Sequence, residues 1–420
     1  MKILLKKKNF FRPYKILLVM YLFFLMAALL ISSPSEILNG LKKILLAPDI
    51  LITDYIAVGG ISSALFNAGI TSIISILMLI RLEIKPNGST IMALFLMTGF
   101  AFFGKNLLNI WPIMFGVYLF SKYQKQPLLN YSLVMLLSTA LAPTVSQLSF
   151  TYDNIPLGMI LGAIIGIITG FILTPIASHC ILAHSGYNLY NIGFAGGLIA
   201  TLLMSILRSF GIDFESRLLW HTGSNKFLLF FMIFISIYLI SVGIYFGKDN
   251  MKKLNNLSKQ SGKLVSDFYL LYGDTIYINM GILGLFSTLF LLLIGGDLNG
   301  PTLGGIFTII GFGCFGKHLK NITPILIGAT LAALININPL TSPSIILAIL
   351  FSTCLAPIAG KFGFWVGILA GFLHVCLGVN VGYLHGGLNL YNNGFAGGLV
   401  AMILVPLITT FKREVRQDEF

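Results

Sequence analysis

The chain has 420 residues, 56% hydrophobic and 10% charged, with a net charge of +13. A mean hydropathy of +0.91 excludes an ordinary soluble domain. The positive balance does not point to nucleic acid, because the basic residues stand in short loops beside apolar runs, as the positive-inside bias of membrane proteins requires.

The runs Lys15–Ser33, Phe227–Phe246 and Thr275–Ile294 are each close to the roughly 20 apolar residues that cross a hydrocarbon core. The basic stretch Met1–Lys8 with the run after it has the outline of a secretory leader. Phe227–Phe246 holds the same place in the second half of the chain, so the first run is assigned to the fold. A second span (55–80) follows, then a broken apolar stretch (89–121) interrupted by Gly104-Lys105. The half before the lysine is too short for a straight crossing, so a re-entrant hairpin is favoured over two short crossings. Next come a span carrying Leu141-Ala-Pro143, a glycine-rich span with Gly162, Gly166 and Gly170, and a span that opens with His184–Leu198.

The second half repeats this order. His184–Leu198 matches His385–Leu399 at 12 of 15 positions, Gly99–Pro112 matches Gly311–Pro324 at 9 of 14, and Ser138–Pro143 matches Ser352–Pro357 at five of six. The matching span and broken stretch are 275–295 and 301–335, and Gly363, Gly367 and Gly371 repeat the glycine run. The expected organisation is membrane repeat 1 at 1–210, an external linker at 211–226 and membrane repeat 2 at 227–420. Each repeat holds about five spans plus one broken or re-entrant segment, in an all-α integral membrane fold.

Loop charge predicts that the repeats are inverted. Arg81–Lys85 and Lys122–Lys125 are positive, whereas their counterparts carry Asp297 or are neutral; the loop at Asp153 is negative and its counterpart has Lys361. The lysine-rich stretch after Lys248 and the tail Lys412–Arg416 then fall inside. This gives a multi-pass plasma-membrane protein with both termini cytoplasmic. Broken segments in an inverted repeat are the architecture of many transporters, with the substrate path at the repeat interface.

The paired HxGxNLYNxGFAGG motif resembles the signature of a family of duplicated bacterial polytopic membrane proteins catalogued as a domain of unknown function. The resemblance covers essentially the whole chain and implies internal duplication without naming a substrate. Tyr190-Asn191-Ile-Gly193-Phe194 and Leu141-Ala-Pro143-Thr144 also resemble motifs of urea-transporter-type channels, which have two inverted halves of five spans with a re-entrant segment. The second copy departs from that pattern, with Ile358 where a threonine is wanted.

The polar residues come in repeat-matched pairs. His184 and His385 are read either as pore-lining donors or as residues fixing the turn between two helices. Asn188/Asn389 and Asn191/Asn392 lie at i and i+3, which share a helix face, with Tyr190/Tyr391 between them. They either line a path for a polar solute or satisfy the backbone of a broken helix, since unpaired polar groups in hydrocarbon cost several kcal/mol. Asn67 and Asn279, each 37 residues before the hairpin glycine, are secondary path candidates. Lys105 and Lys317 would meet an anion if they sit at a re-entrant tip, and are ordinary interfacial charges otherwise. The glycine runs signal close helix packing.

The 14 acidic residues fall in loops, tails or span edges, which argues for a channel or uniporter over a carrier with carboxylate relays. Paired carboxylates for acid–base catalysis are lacking, and the polar residues are duplicated where an enzyme needs different groups in different roles, so no enzyme is expected. Cys180, Cys314, Cys354 and Cys376 form no CxxC pair, so neither a disulfide, a metal site nor a cofactor is expected. The reading is a channel or facilitative transporter for a small polar solute. The alternatives are a secondary transporter of a small anion or metabolite and, further off, an intramembrane enzyme or assembly factor. The partners are the bilayer and the solute, with homo-oligomerisation open.

Overall fold

The computed structural model describes residues 11–150, 154–214, 217–264 and 266–417, with side chains as far as Phe411. Met1–Lys8, Asp153 and the side chains of Lys412–Arg416, used above to orient the chain, lie outside these. Hydrocarbon supplies no hydrogen-bond partners, so apolar runs of this length fold as helices. Nine helices among the described residues are long and apolar enough to cross a membrane.

Repeat 1 begins with α1 (Arg12–Ile31). An amphipathic helix, α2 (Pro34–Leu45), follows; it is capped by Ser33 and Glu36 and buries Ile37, Leu41 and Ile44. A short helix, α3 (Tyr55–Gly59), leads into α4 (Ile61–Arg81). Two half-length helices follow, α5 (Gly88–Phe100) and α6 (Ile110–Tyr123). The repeat ends with α7 (Leu128–Phe150), α8 (Ile155–Ala183) and α9 (Asn191–Ser209).

Repeat 2 follows the same plan with α10 (Asn225–Phe246), the short α11 (Asn250–Leu257), α12 (Phe268–Leu293) and the half-helices α13 (Gly300–Phe312) and α14 (Leu319–Leu334). It closes with α15 (Pro343–Phe362), α16 (Phe364–Gly378) and α17 (Asn392–Gln417).

The broken stretches are re-entrant hairpins. Asn67 on α4 donates to the carbonyls of Ala101 and Lys105 at 2.7 and 2.9 Å, so tip 1 lies beside Asn67. That point is 14 residues, or about 21 Å of helix rise, from the end of α4 where α5 begins. Asn109 donates to Ser146 at 2.8 Å, near the far end of α7. From there α6 runs back along α8 and ends at Tyr123, just before α7 begins at Leu128. The chain therefore enters and leaves on one face. Asn279 repeats the arrangement at tip 2, donating to Gly313 and Lys317 at 2.7 and 2.8 Å.

The repeats are inverted. Half-helices α5 and α13 pack antiparallel: a Cβ on Gly88 would lie 2.5 Å from the Cys314 carbonyl, and one on Gly300 would lie 2.4 Å from that of Phe102. Each start therefore sits beside the other's tip. An asparagine caps each start, Asn87 and Asn299, and a loop carboxylate lies beside each. Asp267 accepts from Gly88 N at 2.8 Å and Asp54 accepts from Gly300 N at 3.2 Å, where the positive end of a helix favours an anion.

Acidic residues do stand in loops, but the loop between α2 and α3 folds inwards. Asp49 and Asp54 are completely buried, so the inference from scarce carboxylates to an uncoupled channel loses its footing.

Candidate functional site

The repeated motif is not a continuous helix. Each copy is an unwound loop that folds back to the centre before α9 or α17 begins. His184 and His385 are buried and close these turns, with Nε2 at 2.9 Å from Asn191 Oδ1 and 2.8 Å from Asn392 Oδ1. The same asparagines donate to Ala177 O at 2.7 Å and Gly378 O at 2.9 Å. Asn188 donates to Gly394 O and Asn389 to Gly193 O, at 2.9 and 3.1 Å. The side-chain amides of all four asparagines thus bond to backbone. Asn67 and Asn279 hold the hairpin tips.

The two loops meet where the repeats cross. A Cβ on Gly193 would lie 2.7 Å from Tyr391 Cβ and 3.1 Å from Gly394 Cα, an approach that only glycine allows. Each loop also docks on the other repeat. Leu189 N donates to Cys354 O and Leu390 N to Ala140 O, both at 2.9 Å. Those carbonyls are free because Pro143 and Pro357 lack an N–H and the spans tighten into 3₁₀ turns at Ser138–Leu141 and Ser352–Leu355.

This crossing brings each motif tyrosine to the hairpin lysine of the opposite repeat. Lys105 Nζ donates to Tyr391 Oη at 2.7 Å and Lys317 Nζ to Tyr190 Oη at 2.5 Å. Both lysines are fully buried. Each ammonium also faces two rings: Phe100 and Tyr391 at 5.4 and 4.8 Å, and Tyr190 and Phe312 at 4.6 and 5.1 Å. Neither has a carboxylate partner among the described residues, whose ion pairs are Arg12–Asp274 and Arg208–Asp213. The two sites differ in one contact. Lys317 also donates to Thr353 at 2.7 Å, whereas Thr139 faces Met97 Sδ at 3.4 Å and Lys105 reaches that sulfur at 3.7 Å.

A vestibule of about 520 Å³ lies between α5, α7 and α8, and its lining includes Tyr190, Asn191, Phe312 and Tyr391. Its remaining walls come from Asn130–Leu137 and Thr174–Ile181, at the face from which hairpin 1 enters. Beyond it, a gap of about 10 Å³ among Phe100, Tyr190, Phe351 and Tyr391 has room for one water molecule.

Sequence reasoning did not pair Lys105 with Tyr391 or Lys317 with Tyr190. The available signal was that in an inverted repeat, motifs near the midplane meet their counterparts across the axis. It also passed over Thr353, although the Ser-Thr-x-Leu-Ala-Pro match contains it. Asp49 carried no signal, since nothing in a linear pattern folds that loop under a hairpin.

No curated protein and no solved structure matches the chain, so the likeness to urea-transporter-type channels rests on the quoted motifs alone. The family described as "Protein of unknown function (DUF1576)" matches residues 33–209 and 247–410, which cover the first copy of the fold from α2 to α9 and the second from α11 into α17. The chain belongs to that family of duplicated membrane proteins.

Proposed function

We propose that this protein carries a small anionic solute across the plasma membrane through the interface of its two repeats. The observation that carries the reading is the pair of buried lysines, each joined to the opposite repeat's tyrosine and lacking a carboxylate among the described residues. A desolvated ammonium costs several kcal/mol unless a counter-charge meets it. A transported anion supplies that charge, and the tyrosine hydroxyls at the vestibule floor stand between it and the lysines. The gap of only about 10 Å³ among Phe100, Tyr190, Phe351 and Tyr391 supports a gated transporter over an open pore. The basic loops at Arg81–Lys85, Lys122–Lys125 and Lys248–Lys263 support a cytoplasmic vestibule and cytoplasmic termini. The duplicated polar set supports passage over catalysis.

A facilitator for a neutral polar solute is the second reading. Its support is the vestibule lining, which carries no Lys, Arg, Asp or Glu side chain. Uptake into proteoliposomes separates the two, with lactate, succinate, sulfate and phosphate as anionic probes and urea and glycerol as neutral ones. Entry of an anion that is lost in Lys105→Gln and Lys317→Gln supports the proposal. Entry of neutral solutes alone, unaffected by either substitution, overturns it.

A further inference from the structure

Asp49 lies in the loop between α2 and α3, packed against the tip of hairpin 1. Its carboxylate is fully buried. Donors converge on one oxygen: Oδ2 accepts from Tyr55 Oη at 2.7 Å, Asn109 Nδ2 at 3.1 Å and Asn106 Nδ2 at 3.3 Å. Oδ1 is buried with no partner among the described residues. Asn106 directly follows Lys105, and Asn109 also donates to Gly104 O at 3.0 Å. The carboxylate therefore holds the tip that carries one of the two lysines.

Asp49 has no counterpart in repeat 2. The matching position, five residues before Asp267 as Asp49 is before Asp54, is Gly262. There the backbone carbonyls of Gln260 and Ser261 take its place, accepting from His318 at 2.9 Å and Asn321 at 3.5 Å. The tips share their glycine, lysine and second asparagine, but Asn106 and Tyr55, which donate to Asp49, are replaced by His318 and Phe268 at the other tip, so the carboxylate and its donors form a set present at one tip alone.

We infer that Asp49 is a proton-binding site that couples proton movement to transport through the repeat interface, an inference that rests on the transport reading above. Water comes within one residue of it: a surface groove of about 530 Å³ is lined by Pro48, Lys42, Lys43 and Arg217. The charged and titratable groups around the carboxylate are Tyr55 and Asp54 on its own segment, Lys42 and Lys43 on α2, Arg217 on the linker and Lys105 on the tip. Burial raises its carboxyl to about 7, against the opposing pull of hydrogen bonds from Tyr55, Ser146 and Asn109 and the charge of Arg217. The step is a proton transfer alone. Oδ1 takes a proton from water on the groove side, and the proton returns to water when hairpin 1 moves. Protonation removes the charge that draws the Asn106 and Asn109 amides to Oδ2, which loosens the tip. One proton entering with one monovalent anion leaves no net charge moved.

The test combines infrared titration of the full chain in lipid nanodiscs with uptake of the same anionic probes into proteoliposomes under an imposed pH gradient. The expected results are a protonated-carboxyl band that disappears as pH rises through about 7 and, at one proton per anion, about tenfold accumulation per unit of gradient. Asp49→Asn should abolish the band and the accumulation. Tyr55→Phe removes a donor to the ionised form and should move the midpoint to higher pH, which keeps the test decisive if Asp49→Asn does not fold. Absence of the band, or a midpoint that ignores Tyr55→Phe, overturns the proton site while leaving transport standing. Anion flux that ignores the gradient overturns the coupling. If no probe moves while the band titrates, the transport reading fails, taking the coupling with it, and the proton site alone survives.

Discussion

Replacing Tyr391 with phenylalanine deletes one oxygen and keeps the ring against Phe100, whose centroid is 4.3 Å away. Lys105 is then left with the thioether of Met97 at 3.7 Å as its only hydrogen-bond partner among the described residues. A hydrogen bond to a charged group is worth about 1.5–3 kcal/mol, and stranding a buried charge adds to the loss. The expected cost is about 3 kcal/mol. Tyr190→Phe deletes the matching oxygen, but Lys317 keeps Thr353 at 2.7 Å, so that variant should lose only about 1.5 kcal/mol. The difference is about tenfold in an unfolding equilibrium. The assay is reversible unfolding in bicelles, with the double variant Lys105→Met/Tyr391→Phe closing a cycle. Removing both partners leaves no stranded charge, so the double variant should recover most of the loss. Equal costs for the two tyrosines, or a double variant no better than Tyr391→Phe alone, would refute the account of the lysines as paired across the repeats.

Gly193→Ala sets a Cβ 2.7 Å from Tyr391 Cβ and should cost about 3 kcal/mol in the same assay; a neutral result would mean the crossing is looser than described. Burial raises Asp49 to about 7 and Asp54 to about 6, from an ordinary value of 3.8. The folded chain then binds these protons more tightly than the unfolded chain. Their stabilising contribution is full below about pH 4 and is lost as pH rises through the folded values, by at most about 1.4 kcal/mol per pH unit for each group. Unfolding measured from pH 4 to 8 should show stability falling with pH, and Asp49→Asn should flatten the upper part. Lys259→Cys, made with Cys376→Ser because Cys376 is exposed, should resist an impermeant thiol reagent in intact cells and react after permeabilisation. Labelling in intact cells would reverse the assigned orientation.

The span order, the broken stretches and their inversion were legible because they rest on one-dimensional signals. Twenty-residue apolar runs, a lysine in the middle of an apolar stretch and loop charge are visible without knowing any contact. The pairing of polar residues was legible as far as identity. Their partners were not, because Lys105 and Tyr391 are 286 residues apart and only the fold of the motif loop joins them. For the asparagines, the residue type is compatible with both a path and a backbone clamp; the choice turns on where the amide points. Asn191 shows both aspects, since it closes the turn at Ala177 and also lines the vestibule. Asp49 was hidden for a different reason. Loop position in sequence normally means exposure, and here the amphipathic helix α2 and the linker cover the loop, with Leu219 N donating to Ile52 O at 3.0 Å.

The exchange of partners between repeats decides which parts can move together. Tip 1 is tied to motif 2 by Lys105–Tyr391, and tip 2 to motif 1 by Lys317–Tyr190. Asn188–Gly394, Asn389–Gly193, Leu189–Cys354, Leu390–Ala140, Gly88–Asp267 and Gly300–Asp54 also cross between repeats. Rocking one repeat as a rigid body against the other would break all eight at once, a loss of about 8 kcal/mol at about 1 kcal/mol each. Conformers that exchange during function differ by only a few kcal/mol. Moving a hairpin tip together with the opposite repeat's motif keeps its lysine–tyrosine pair intact and lowers that cost, so a cross-repeat pair is the expected mobile unit of the proposed transport cycle. Spin labels test this directly. The distance from Leu107 beside tip 1 to Leu384 beside motif 2 should hold constant between pH 5 and 8, while that from Leu107 to Leu319 beside tip 2 changes. A change in the first distance with the second fixed would mean that the lysine–tyrosine pairs break in each cycle, and that the repeats themselves are the moving bodies.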